Sequence, residues 1–262
     1  MQVYAVETRT VKAGDDLVDI VLGALKAQDL ELQDKDVLAL ASKIVSYSQN
    51  RIVRLNEIRP SEKAKKLAKQ YSLAPEFAEL VLREAETIYG GVNKAMLTLK
   101  DGTLTPNAGI DSKNAPEGCV VLWPIRLKSW TKNFREAIEH RSGKHVGILV
   151  VDSGLTPLRV GTSGLALAVA GLKTIRDHRS SRDLHGRTIT ITRHAVVDDL
   201  ASAAHLMMGE ATEKTPIVLI REAPLEFDGG AYDAGDMKMP AGECAFMGVF
   251  QADSRGSGKA KG

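Results

Sequence analysis

The chain has 262 residues, 35 of them Lys or Arg and 33 Asp or Glu, for a net charge of +2, and 44% are hydrophobic. That balance excludes a disordered chain and offers no basic excess for coating a duplex, so no nucleic-acid partner is expected. No run nears the roughly 18 apolar residues of a spanning helix, and Cys119 and Cys244 make no disulfide framework, so the expected setting is the reducing cytoplasm, away from membranes.

In chain order, Gln2–Val6 reads as a short strand. Leu17, Ile20, Val21, Ala24 and Leu25 recur at helical spacing, with Asp15 or Asp16 able to cap the start. Asp36–Ser42 is nearly continuous in apolar residues, as a buried strand is, and stops at the polar pair Ser42-Lys43. Pro60-Ser61 opens a basic helix, and Ala74-Pro75 opens a second with Phe77, Leu80, Val81, Ala85 and Ile88 on one apolar face. Ala95–Leu104 reads as a hairpin around Asp101-Gly102, and Cys119–Leu122 as a strand. A helix is expected over Thr131–His140, a strong strand over His145–Gly154, and a second over Thr188–His194, where TITITRH alternates. Val196–Met208 predicts a helix stopped by Gly209, and Thr215–Glu222 a last strand. Strands and helices mix without a βαβ rhythm, so the expected class is α+β with mixed sheets. Residues 1–225 are expected to form one domain with a helical excursion over 51–90, followed by a C-terminal extension, 226–262, whose Gly-, Ser- and Lys-rich end is mobile.

Common signatures fail. GLKT lacks the Gly directly before Lys that a phosphate loop needs, GTSG is no nucleophile elbow, and no zinc-like His spacing or dinucleotide fingerprint occurs. What survives is polar chemistry at element ends. LTPNAGIDSKNAPEG (Leu104–Gly118) holds more small polar groups than a turn requires. Asp152-Ser153 follows a buried strand, and Gly209-Glu210 follows a helix. Oxygen donors at such ends suit Mg²⁺ or Mn²⁺, and the nearby Arg and Lys suit phosphate. Each also has a plain reading as a turn, a strand stop or a solvated residue, so the residues alone reach only a metal and nucleotide site.

Six stretches in one order add to this: GDDL (Gly14–Leu17), SKIVS (Ser42–Ser46), NAGIDSKN (Asn107–Asn114), VVDS with a later Arg (Val150–Arg159), RDHRSSRDLHGR (Arg176–Arg187) and VVDDLASAAHLMMGE (Val196–Glu210). Together they resemble the coenzyme F420-0:L-glutamate ligase family. The resemblance implies that family's α+β fold in an intertwined homodimer. It implies GTP as co-substrate, Mg²⁺ or Mn²⁺, optionally a monovalent cation, and a reaction joining L-glutamate to a phospholactyl deazaflavin through an acyl phosphate. It implies metal ligands at Asp111, Asp152, Ser153 and Glu210, and catalytic roles for Asp152 and Arg159. Nucleotide contacts are implied at Ser42, Lys43, Asn114 and the turn from Met208 to Thr215, with Met208, Gly209, Glu210 and Ala211 foremost. The chain departs from the family at Tyr47, where Lys is frequent, at Leu155 and Thr156, where a Gly-Arg pair is frequent, at Glu7-Thr8-Arg9 and at Ser180. These departures keep two alternatives open: a sibling amide ligase with another acid acceptor, and a non-catalytic nucleotide-binding relative.

Overall fold

Burial along the strands alternates between two covered faces, and this alternation sets the layers. The structure, a computed structural model, describes residues 1–248, so the expected mobile end lies outside the described residues. The chain begins with β1 (Gln2–Val6), α1 (Leu17–Ala27), β2 (Val37–Ala41) and α2 (Ser42–Ser48). It continues through β3 (Ile52–Arg54), α3 (Glu62–Tyr71), α4 (Pro75–Glu84), β4 (Thr87–Val92), β5 (Ala95–Lys100), β6 (Thr103–Pro106) and β7 (Cys119–Val121). Next come α5 (Leu127–Ser142), β8 (Gly147–Leu155), β9 (Thr162–Leu172), β10 (Arg176–Asp177) and β11 (Arg193–His194). The order closes with α6 (Val196–Met208), β12 (Ile217–Arg221), β13 (Phe227–Asp233) and α7 (Ala234–Met237).

Among the described residues, six strands form the main sheet in the order β1-β12-β2-β8-β9-β13. Only β2 and β8 run parallel; the other neighbours are antiparallel. Leu38, Leu40, Ile148, Val150, Ile217 and Leu219 face one layer with α1, α2 and α5. Val37, Ala39, Leu149, Val151, Val218 and Ile220 face α6 on the other side. Both faces are therefore apolar, which explains the unbroken hydrophobic runs. Gly164 permits the close approach of α6: a Cβ there would lie 2.1 Å from the Ala201 carbonyl oxygen. The α+β class with mixed sheets holds. Among the described residues no helix is long and apolar enough to cross a membrane.

The excursion contains the two expected helices, capped by Ser61 and opened by Pro75. It continues through a three-stranded sheet, β4-β5-β6, and returns along the β3-β7 pair. Its separate core includes Ala64, Ala68, Tyr71, Leu80, Val81, Met96 and Val120. The sequence after residue 225 supplies β13, which pairs with β9 in the main sheet.

Four expectations need correction. Ser42-Lys43 does not merely stop a strand; it begins α2 directly, without a side-chain cap, because Ile44 and Val45 are buried against the sheet. The helix expected from Thr131 begins at Leu127, where Leu127 and Trp130 already pack on the core. Ala85 and Ile88 leave the helical face, since Ala85 turns extended and Ile88 enters β4. Most of Thr188–His194 is not a strand: Arg193–His194 pairs in β11, Thr188 makes an isolated bridge with Arg182, and Ile191 is 85% exposed. Alternation there has no core to face, so nothing converts it into a sheet.

Candidate functional site

The parallel pairing of β2 with β8 ends at Ala41 opposite Val151, while β8 continues to Leu155 against β9, so Asp152 and Ser153 lie within the strand rather than after it as expected. The chain then turns into α2 after β2 and runs on to Asp152 and Ser153 in β8. The end of α6 and the loop after it reach the same region, as does the segment Asp111–Pro116. They enclose a cavity of about 830 Å³ with the β1–α1 loop as a further wall. Ser42, Lys43, Asp111, Asn114, Asp152, Ser153, Met208, Gly209, Glu210 and Ala211 all line it. Four segments remote in sequence thus supply every expected metal and nucleotide residue. Arg159 is the exception: it lies in the exposed β8–β9 connection and does not line the cavity.

The groups are tied together across the cavity. Lys43 Nζ donates to Asp111 Oδ2 at 2.6 Å and to the Lys113 carbonyl at 2.8 Å. Tyr47 donates its hydroxyl to the Asn114 carbonyl at 2.9 Å, and the Asn114 amide donates to the Ala211 carbonyl at 2.9 Å. Lys113 Nζ reaches Glu210 Oε2 at 3.2 Å. Glu210 Oε1 accepts from the Thr162 hydroxyl at 2.6 Å and meets His205 Nε2 at 3.0 Å. Burial pushes the Glu210 carboxyl up, but these partners outweigh it and hold it below its ordinary range. The same bond raises the Lys113 ammonium, which also feels Asp111 and Asp152.

Asp152 differs. It shares the sheet face of Val150, beneath Trp123. Burial pushes its carboxyl up to about 6 against the Ser153 N–H, the Trp123 indole N–H and the Lys43 charge, and the neighbouring Asp111 adds to the rise. Gly109, at φ +71°, leaves room for that indole: a Cβ would lie 2.2 Å from the Trp123 ring. The answer to why so many small polar residues fill Leu104–Gly118 is therefore partly steric and partly chemical.

Among the described residues no group of three or more His, Cys, Asp or Glu side chains stands ready to hold an ion. The donor chemistry still fits a divalent cation that prefers oxygen. Asp111, Asp152 and Glu210 are hard donors on one cavity, and the half-buried Asp152 carboxyl has no ammonium group bonded to it. Ammonium groups sit on the other two. Sequence reasoning missed Lys113, Trp123, Thr162 and His205. Lys113 lies inside the stretch it had singled out, and His205 lies on α6 five residues before Glu210. Trp123 carried no signal, being 29 residues from the carboxylate it touches.

Comparison with known proteins identifies the family. Residues 5–222 match the family described as F420-0:Gamma-glutamyl ligase. A coenzyme F420:L-glutamate ligase of Methanopyrus kandleri is 38% identical over 214 residues, covering 81% of this chain and 83% of the relative. Proteins of the same name from Methanothermobacter thermautotrophicus and Archaeoglobus fulgidus are 35% and 33% identical, each over 84% of this chain and 89% and 87% of their own length.

Proposed function

The chain is an enzyme that belongs to the F420-0:gamma-glutamyl ligase family, and from that premise we propose that it joins L-glutamate to the phospholactyl deazaflavin F420-0 at the expense of GTP, with Mg²⁺ or Mn²⁺. A carboxylate is a poor electrophile. In the proposed first step an acceptor carboxylate oxygen attacks the γ-phosphorus of GTP, and the bond to GDP breaks. The glutamate amine then attacks the acyl carbon, loses a proton and expels phosphate. Amide, GDP and phosphate are the products.

The observation that carries this reading is the convergence of Lys43, Asp111, Asn114, Asp152 and Glu210 on one cavity. Asp111, Asp152, Ser153 and Glu210 would hold the cation, which supplies positive charge between a triphosphate and a carboxylate. Lys43 would serve the phosphates while keeping Asp111 oriented. Ser42 and the loop from Met208 to Ala211 would seat the nucleotide, and Asn114 ties that loop to the opposite wall. Arg159 lies outside the cavity, so any role for it needs movement of its connection or a second copy. A homodimer is part of the proposal, since Leu158, Val160, Leu184 and Ile191 stand exposed and a second copy would cover them. So is the cytoplasm, consistent with two unpaired cysteines.

The test is phosphate release from GTP with Mn²⁺, omitting each component in turn. Release that requires both L-glutamate and F420-0 supports the reading, and a glutamylated product identifies it. A second reading is favoured by Tyr47, which lines the cavity in place of a cation: if phosphate appears only with a different acid, the enzyme is a sibling ligase.

A further inference from the structure

Lys113 occupies an unusual position for a side chain with 64% of its surface exposed. Its backbone N–H donates to Asp111 Oδ1 at 2.8 Å and its carbonyl accepts from Lys43. Its own ammonium crosses the cavity to Glu210 at 3.2 Å. The segment it belongs to is held at both ends, by Lys43 on one side and by Tyr47 and Asn114 on the other. The backbone is thus fixed while the four-carbon stem stays free to swing. Glu210 keeps other partners, Thr162 and His205, on its second oxygen, so Oε2 is the oxygen that Lys113 covers.

We propose that Lys113 is a resident counter-ion: it covers Glu210 until a divalent cation displaces it, and the released ammonium then faces the anionic nucleotide in the same cavity. An ammonium and a divalent cation compete for the same carboxylate lone pairs, so each weakens the other there. Lys113 lines the same cavity as Ser42, Lys43 and the loop from Met208 to Ala211, so its displaced ammonium would stay within reach of a ligand's phosphates. Metal binding and phosphate binding are thereby coupled through one side chain. This makes Lys113 a positioning residue, and the second half of the inference rests on the nucleotide reading above.

The experiment is an Mn²⁺ titration of the full chain, followed by electron paramagnetic resonance, without nucleotide. Lys113→Met is compared with Lys12→Met, which removes a charge from the same cavity lining but touches no part of Glu210. Lys113→Met is expected to bind Mn²⁺ about fivefold tighter than the unaltered chain, and Lys12→Met less than about twofold tighter. Equal effects of the two variants would mean diffuse electrostatics and would overturn the competition. Lys113→Arg should return affinity toward that of the unaltered chain; failure to do so also counts against it. At saturating Mn²⁺, Lys113→Met should weaken GTP about fivefold by calorimetry, and unchanged GTP affinity overturns the second half. The Mn²⁺ arm needs no turnover. A chain that passes it but never consumes GTP sinks the ligase reading alone.

Discussion

Trp123 touches two clusters of charge built on opposite rules. Its carbonyl accepts from Arg51 at 3.1 Å, and its indole N–H donates to Asp152. On the Arg51 side, Glu84 accepts both contacts of Arg51 Nη2, at 2.9 and 2.8 Å, and Lys100 Nζ at 2.7 Å. Lys100 is 6% exposed. One carboxylate with two cations, mostly shielded from water, is a structural tie that joins the residue before β3 to the end of α4 and to β5. On the Asp152 side, carboxylates outnumber the ammonium groups that reach them, and all open onto a cavity. Similar residue types tie the chain together in one place and line an open cavity in the other. With Asp101 3.9 Å from Lys100, the Glu84 group sets two carboxylates against two cations, whereas the cavity group sets three carboxylates against two ammonium groups.

The comparison breaks most sharply at its two carboxylates. If Asp152 holds the cation as proposed, Asp152→Asn should cut turnover about a hundredfold. The melting temperature should hold or rise, because a poorly compensated charge leaves the cavity wall. Steady-state phosphate release and a thermal melt on one preparation check both halves. Glu84→Ala should do the reverse. It strands two cations in a mostly buried position and should cost about 3 kcal/mol of stability, measured by urea unfolding. Turnover at a temperature where the variant is folded should stay within about twofold. A variant of Glu84 that remains stable but inactive would erase the distinction between the clusters.

How much of this was legible beforehand depends on distance along the chain. β8 and α6 were readable because their apolar patterns are local, with the apolar run of β8 stopping at Asp152 and α6 stopping at Gly209. NAGIDSKN was readable as surplus polar chemistry. The start of α2 was not, because no capping residue marks it and burial of Ile44 and Val45 decides it. Thr188–His194 misled for the converse reason: its alternation is local, but no core lies beneath it. Neither the Lys43–Asp111 bond, spanning 68 residues, nor the Trp123–Asp152 contact has a local signature. Segments of the site could therefore be named from sequence, while the balance of charge among them required the fold.

A gentler way to sharpen the same contrast is pH. Burial pushes the Glu84 carboxyl up, yet the bonds and charges of Lys100 and Arg51 outweigh it, so its net shift is downward. A depressed carboxyl contributes stability above its unfolded pKa and loses it as pH falls through the folded one. Unfolding midpoints of the unaltered chain and of Glu84→Gln should therefore lie apart at neutral pH and converge on acidification. A gap that widens as pH falls would contradict the closed cluster.

The smallest effect belongs to a third kind of charge, the exposed pair. Arg179 clasps Asp177 on the segment between β9 and α6, and both side chains are 44% exposed. Their proximity lowers the Asp177 carboxyl, chiefly through that side-chain bond, but water screens such a pair and it contributes little to stability. Arg179→Ala should shift the melting temperature by no more than about 1 °C in a chain that leaves this segment in solvent. The proposed homodimer makes the outcome depend on concentration. If a second copy covers the segment, with exposed Leu184 and Ile191 nearby in sequence, the substitution should weaken association, and the difference in melting should grow as protein is diluted toward the dissociation constant. Melts across a hundredfold dilution, with light scattering on the same samples, separate the two cases. An effect that is small at every concentration, in a particle of monomer mass, removes the dimer from the proposal and leaves the cavity to act within one chain.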